Sequence, residues 1–435
     1  MPNHGAAMVG PADGCGSPGH FMKSLTDKQR IDYPILAITL FSVLYNCILA
    51  YINHNITPLA VSHVVLCEGM MMLSSVAYLL KKGIYEEDLP IFLYLIFTLI
   101  ITIYITVMNR MPFIDQFRNV LIIVAFAGIG SWASERTVKL AFRIGCFFVL
   151  LFLVCEIVST PFYVSLFHPG EYFENTRGIK QASFNSTGLF ANALGFEGRF
   201  SFGLIDHRSS SIFLEQVSLA NFCGVIVIYL LSFWPKLGKI EKALFVSTVL
   251  LILLTNDTRT MLIFSFISII GYFVFPKIPK AFDLILMPLI ILIGFFVHFM
   301  KPDEVGDNFT GRIGVTIKKM LDLDFQAILG LDIARIGEFA DSGYVYLIYG
   351  STIFGLIMFW LFVCLFPGGE TPAQRRCGHS LSLFIFLNMM IGGTAIFSIK
   401  IAGLLWLLVG YMRASDKPRT ARTQPANMDG SRVPG

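Results

Sequence analysis

The chain has 435 residues, of which 55% are hydrophobic and only 14% charged, with a net charge of +4. A soluble domain carries about a quarter charged residues, so a soluble enzyme built on one large core is excluded and a polytopic membrane protein is indicated. So small a net charge also argues against a nucleic-acid partner. The eight cysteines contain no CxxC and no zinc-ligand spacing, and most lie in apolar runs where Cys acts as a small hydrophobe.

Residues 1–30 are rich in Gly, Pro and Ser and then basic ("KSLTDKQR"), without the apolar core and cleavage site of a signal peptide. They read as a disordered cytoplasmic tail, as do residues 413–435. Between them, twelve apolar segments qualify as membrane spans, at 33–52, 58–80, 90–108, 119–132, 140–158, 213–234, 243–255, 261–275, 282–300, 343–366, 381–395 and 399–412. They group as helices 1–5 in 31–158, helices 6–9 in 213–300 and helices 10–12 in 343–412. Two long loops, 159–212 and 301–342, separate the groups.

Basic residues in short loops set orientation. With the N-terminus inside, the inner loops hold eleven Lys and Arg and the short outer loops four: Arg110, Arg118, Arg259 and Lys400. Both termini are then cytoplasmic and both long loops face outward. Aromatic and aliphatic residues in those loops predict partial order. Ile313, Val315, Ile317, Met320 and Leu321 have helical spacing, which predicts an amphipathic helix over 312–325 on the outer surface.

The outer boundary collects charges. Arg208 precedes the sixth span and Glu215 lies in its first turns. Arg259 sits in the tight link "NDTRT", Arg312 in "NFTGR", and Asp341 just before "GYVYLIYG". A single arginine at an interface commonly snorkels to lipid phosphates, and Glu215 and Asp341 fit equally as carboxylates at helix N-termini. As a group they suit a phosphate or pyrophosphate gripped by forked hydrogen bonds, with a carboxylate nearby to take a proton from a sugar hydroxyl. Glu68 lies mid-span, where an ionisable group costs roughly 2.5–3.5 kcal/mol; it is either functional or paired with a neighbouring helix. Asp303, Glu304 and Asp307 read as a solvated loop, not a cation site.

Three stretches resemble the bacterial O-antigen ligase and Wzy-type polysaccharide polymerase superfamily. "RSSSIFLEQVSLANF" is similar to its Arg-x-x-x-Phe-x-Glu-Pro segment, "LILLTNDTRTMLIFSFISIIG" to its helix–Ser/Thr-Arg–helix element, and "GRIG…AILGLDI…ADSGYVYLIYGSTIFGLI" to its large periplasmic loop and following helix. Gln216 replaces the usual Pro, and Asp341–Ser342 stands where ligases commonly have His–Asn. These departures favour an exopolysaccharide polymerase of the xanthan type over a ligase.

The resemblance implies an all-α, GT-C-like polytopic protein of the bacterial inner membrane, with about twelve transmembrane helices, two long periplasmic loops and its active site on the periplasmic face. The implied activity is a glycosyltransferase one, joining undecaprenyl-pyrophosphate-linked oligosaccharide repeat units by inverting transfer, with neither cofactor nor metal. Arg208 and Arg259 would hold the pyrophosphate, with Arg312 adding to them or binding sugar. Asp341 is the first choice for activating the acceptor hydroxyl and Glu215 the second. Tyr344 would stack on a sugar, unless it only anchors the interface. Membrane lipid and a chain-length-regulating copolymerase are the further candidate partners. The alternatives are a ligase of the same superfamily, a transporter or flippase of lipid-linked sugars, and a scaffold.

Overall fold

The computed structural model describes residues 30–83, 88–180, 187–194, 204–302, 308–339, 341–391 and 393–415. The two expected tails fall almost wholly outside the described residues, as does the acidic stretch of Asp303, Glu304 and Asp307. Among the described residues every regular element is helical, apart from one isolated bridge between Leu194 and His207. Eight of these helices are long and apolar enough to cross a membrane, so the chain is an all-α polytopic membrane protein.

In chain order the first five helices are α1 (Tyr33–Asn55), α2 (Val61–Lys82), α3 (Leu89–Asn109), α4 (Asp115–Trp132) and α5 (Glu135–Val158). Two short helices follow, α6 (Thr160–Phe167) and α7 (Pro169–Arg177). Then come α8 (Gln216–Phe233), α9 (Lys239–Asn256), α10 (Arg259–Val274) and α11 (Asp283–Met300). The second connection contains α12 (Phe309–Leu321), α13 (Phe325–Ile328) and a 3-10 segment, Ile333–Phe339. The chain then forms α14 (Gly343–Leu365), α15 (Pro372–Ile391) and α16 (Ile399–Ala414).

Side-chain caps fix several starts. Ser134 Oγ accepts from the Thr137 amide at the head of α5, and Asn308 Oδ1 from the Gly311 amide at the head of α12. Such bonds satisfy amides that have no partner within the helix.

The bundle is organised around α4 and α16, which lie back to back. A Cβ placed on Gly410 would come 2.0 Å from the Ala127 carbonyl oxygen, and one on Gly130 2.4 Å from that of Leu407. Only glycine allows this approach, and close backbone packing is a main source of helix association inside a membrane. Every residue of α16 from Ile399 to Met412 is buried. In contrast, α3, α10 and α11 turn large apolar side chains outward, including Ile96, Ile103, Phe266, Phe273, Leu292 and Phe296.

The second connection packs onto the bundle. The apolar face of α12 is turned inward, with Ile313 and Ile317 buried against the neighbouring helices. The helix foreseen over 312–325 therefore exists, displaced toward the N-terminus and closed against α11, α14 and α15. Further boundaries also move. The helix expected from residue 381 begins at Pro372, so Arg375 and Arg376 lie inside α15. The sixth span begins at Gln216 because Ser211–Phe213 form a 3-10 turn and Leu214 is left-handed, with φ of 61°.

Candidate functional site

The ends of α1, α3, α5, α9, α11 and α15 and the starts of α2, α4, α8, α10, α14 and α16 share one end of the bundle, because successive long helices alternate in direction. This end carries Arg208, Glu215, Arg259, Arg312, Asp341 and Tyr344.

Arg208 and Arg259 meet at one turn. Arg208 donates from Nε to the Asn256 carbonyl oxygen at 2.8 Å and from Nη2 to Asn256 Oδ1 at 3.4 Å. Three residues on, Arg259 opens α10 with its side chain 47% exposed and its Nε 3.9 Å from Asp257 Oδ1. Asp257 is left-handed, with φ of 50°, and reverses the chain between α9 and α10. Asn256 is wholly buried. Its Nδ2 donates to the Ser209 and Gln216 carbonyls at 2.6 and 2.9 Å, tying this turn to both sides of the Arg208 segment.

Arg312 is tied to the end of α15, and Asp341 lies two residues before the point where α14 presses on that helix. Arg312 donates from Nη1 to the Ile391 carbonyl at 3.4 Å. Gly343, two residues past Asp341, lies so close to α15 that a Cβ there would sit 2.8 Å from Met389 Cα. Asp341 itself is exposed. Arg259 and the anchor point of Arg312 lie toward one end of two adjacent helices. The rings of Phe264 on α10 and Phe384 on α15 are 5.5 Å apart. Arg259 lies about 7.5 Å of helical rise beyond the first, and Ile391 about 10.5 Å beyond the second, both toward the same end.

Glu215 is placed differently from the expectation. It accepts from Lys400 Nζ at 2.9 Å, Arg177 Nη1 at 3.3 Å and Ser218 Oγ at 2.9 Å. Burial alone would raise its carboxyl, but the Lys400 and Arg177 charges outweigh this and hold it well below the usual carboxylate range. A carboxylate so stabilised is a weak base. Glu215 is thus a junction between α7, α8 and α16. Lys400, counted above as an outer-loop cation, is 1% exposed in the first turn of α16.

Tyr344 lies inside the bundle. Its ring is fully buried and its hydroxyl donates to the Phe386 carbonyl at 2.9 Å, so it packs α14 on α15 and presents no face to a sugar. Glu68 follows the pairing expectation. It is bound by Arg118, whose Nε lies 3.1 Å from Oε2, and by the Tyr45 hydroxyl at 2.8 Å.

One residue of the site end escaped the sequence reading. Glu156, near the end of α5, is wholly buried. Its Oε2 accepts from the Ser211 amide at 2.7 Å and the Ser210 amide at 3.0 Å. Its Oε1 accepts from Ser210 Oγ at 3.2 Å and lies 3.2 Å from His207 Nε2. The available signal was the one that exposed Glu68, a carboxylate inside an apolar run, "LLFLVCEIV".

The arrangement places Arg208, Arg259 and Arg312, with the exposed carboxylate of Asp341, at the rim of an apolar bundle. It can grip an anion with several phosphate-like oxygens and pass a proton beside it. No family model matches the chain, and no curated protein or solved structure gives a match to it.

Proposed function

We propose that this chain is a membrane glycosyltransferase of the Wzy polysaccharide-polymerase kind, acting at the periplasmic face of a bacterial inner membrane. The observation that carries this reading is the tie between Arg208 and Asn256, which puts Arg208 and Arg259 on one turn at the rim. Two guanidiniums held this way suit the pyrophosphate of an undecaprenyl-pyrophosphate-linked glycan, whose head is anionic and whose tail is apolar. Twelve spans, with both termini cytoplasmic, are part of the same reading.

A hydroxyl of the incoming lipid-linked repeat unit attacks the anomeric carbon of the donor glycan. The new C–O bond forms as the bond to pyrophosphate breaks, and the electron pair leaves with the polyprenyl pyrophosphate. Asp341 takes the hydroxyl proton. Arg208 and Arg259 stabilise charge as it gathers on the leaving group, and preorganised charge of this type is usually the largest catalytic contribution. Arg312 holds the edge of the same neighbourhood. A transporter would carry a substrate charge near mid-bilayer. The deepest carboxylate on the chain's own spans singled out from the sequence, Glu68, is already bound by Arg118 and Tyr45.

The test is to feed the purified chain with lipid-linked repeat units accumulated in cells that lack it. A ladder of longer lipid-linked products is expected, and Arg208→Ala and Arg259→Ala abolish it while single units still reach the periplasm. Units held in the cytoplasm would establish transport instead. Transfer only to a different acceptor would establish a ligase.

A further inference from the structure

The segment that carries Arg208 is under strain and is held from below. Ser211 and Leu214 both adopt left-handed backbone, with φ of 47° and 61°, although neither is glycine. Non-glycine residues keep such conformations only where the surroundings impose them. Asn256 and Thr255 supply the hold on one side, where Ser209 Oγ lies 2.7 Å from Thr255 Oγ1. On the other side the hold is Glu156.

We infer that Glu156 is a positioning residue for the pyrophosphate site, acting through the 207–211 segment to fix Arg208. The inference rests on the proposed pyrophosphate role of Arg208. Glu156 engages His207, Ser210 and Ser211, the residues that bracket Arg208 in the chain. A carboxylate is an acceptor with two oxygens and about four lone-pair sites, and the Ser210 and Ser211 amides, the Ser210 hydroxyl and His207 converge on them. Two adjacent backbone amides aimed at one carboxylate fix the peptide plane between Ser210 and Ser211. Tyr163 reinforces the turn by donating to the Ser211 carbonyl at 2.6 Å. The Arg208 amide meanwhile donates to the Ala193 carbonyl at 2.8 Å. Arg208 is therefore delivered by a segment clamped between α5 and the α9–α10 turn, and Glu156 is the charged half of that clamp.

Glu156→Gln is the informative substitution. The amide keeps the shape and can retain one oxygen on the Ser210 and Ser211 amides, but it loses the charge and turns an NH2 toward His207 and the Ser210 hydroxyl. The measurement is binding of undecaprenyl pyrophosphate to the full chain in lipid nanodiscs, with thermal unfolding followed in parallel. Glu156→Gln is expected to weaken binding about tenfold, and Ser210→Ala less, in the same direction. In an Arg208→Ala background, Glu156→Gln is expected to weaken binding no further, because two residues acting through one contact are not additive. Equal weakening in both backgrounds, or none in the wild-type background, overturns the inference. If Arg208→Ala itself leaves binding unchanged, the failure lies in the pyrophosphate reading instead.

Discussion

Arg208 and Asn256 are joined twice, through the Asn256 carbonyl at 2.8 Å and its side-chain oxygen at 3.4 Å. The backbone bond survives any side-chain change at 256, so a substitution there separates the shape of the turn from the grip on Arg208. Asn256→Ala removes the donor to the Ser209 carbonyl and the second donor to the Gln216 carbonyl, which keeps its bond within α8, a cost of about 1 to 3 kcal/mol for the one unmatched acceptor. Asn256→Asp is expected to be worse than Asn256→Ala, because it points an oxygen at two carbonyl oxygens. Thermal unfolding of the purified variants checks the order, and Asp unfolding later than Ala would contradict it.

Asp341 is expected to govern turnover and not donor affinity. General-base catalysis contributes typically about 100-fold or more, so Asp341→Asn should lower the polymerisation rate by about that factor while undecaprenyl pyrophosphate binding changes little. The rate of ladder growth, measured beside binding, checks the split. A near wild-type rate removes Asp341 from the mechanism.

The Lys400–Glu215 pair predicts a rescue. Lys400→Met leaves Glu215 with Arg177 and Ser218 only, at a cost of about 3 to 5 kcal/mol, as for other interior ion pairs broken from one side. Adding Glu215→Gln removes a carboxylate that has lost its buried partner and should restore part of that loss, because Arg177 is exposed enough to be hydrated. A double variant no more stable than Lys400→Met would show that the two residues are not coupled.

Two glycines should respond oppositely to the same change. Gly410→Ala drives a Cβ into the Ala127 carbonyl and separates α4 from α16, so folded protein in detergent should fall sharply. Gly69 in α2 has nothing within 4 Å of a Cβ, and Gly69→Ala gains helix propensity of about 1 kcal/mol. Size-exclusion profiles of the two variants make the comparison.

Much of the bundle was legible because apolar runs between charged or polar turns are what a span requires. The starts of α14 and α16 fall at the expected residue, and Arg208, Arg259, Arg312 and Asp341 lie toward one end of the bundle. What was not legible has a common cause, since one-dimensional patterning records polarity but not partners. Lys400 looked like a loop cation because it opens an apolar run, and only packing reveals Glu215 beside it. Tyr344 looked like an interfacial ring because it stands one residue into a helix, yet α15 covers it. Glu156 passed unnoticed inside a span, since its donors lie about fifty residues on in a segment with no regular periodicity.

The burial of α16 from Ile399 to Met412 has a consequence for how the molecule is made. The chain is synthesised from its N-terminus, and α16 is the last described helix to emerge. Until it does, the glycine-lined face of α4 has no partner and Glu215 lacks its ammonium. The earlier helices must therefore wait in the membrane around an open slot, and the closing event supplies the filler and the counter-charge together. A ribosome stalled before Ile399 would leave a bundle with an apolar groove and a carboxylate held by Arg177 and Ser218 alone, a form that quality-control proteases could distinguish from the finished protein.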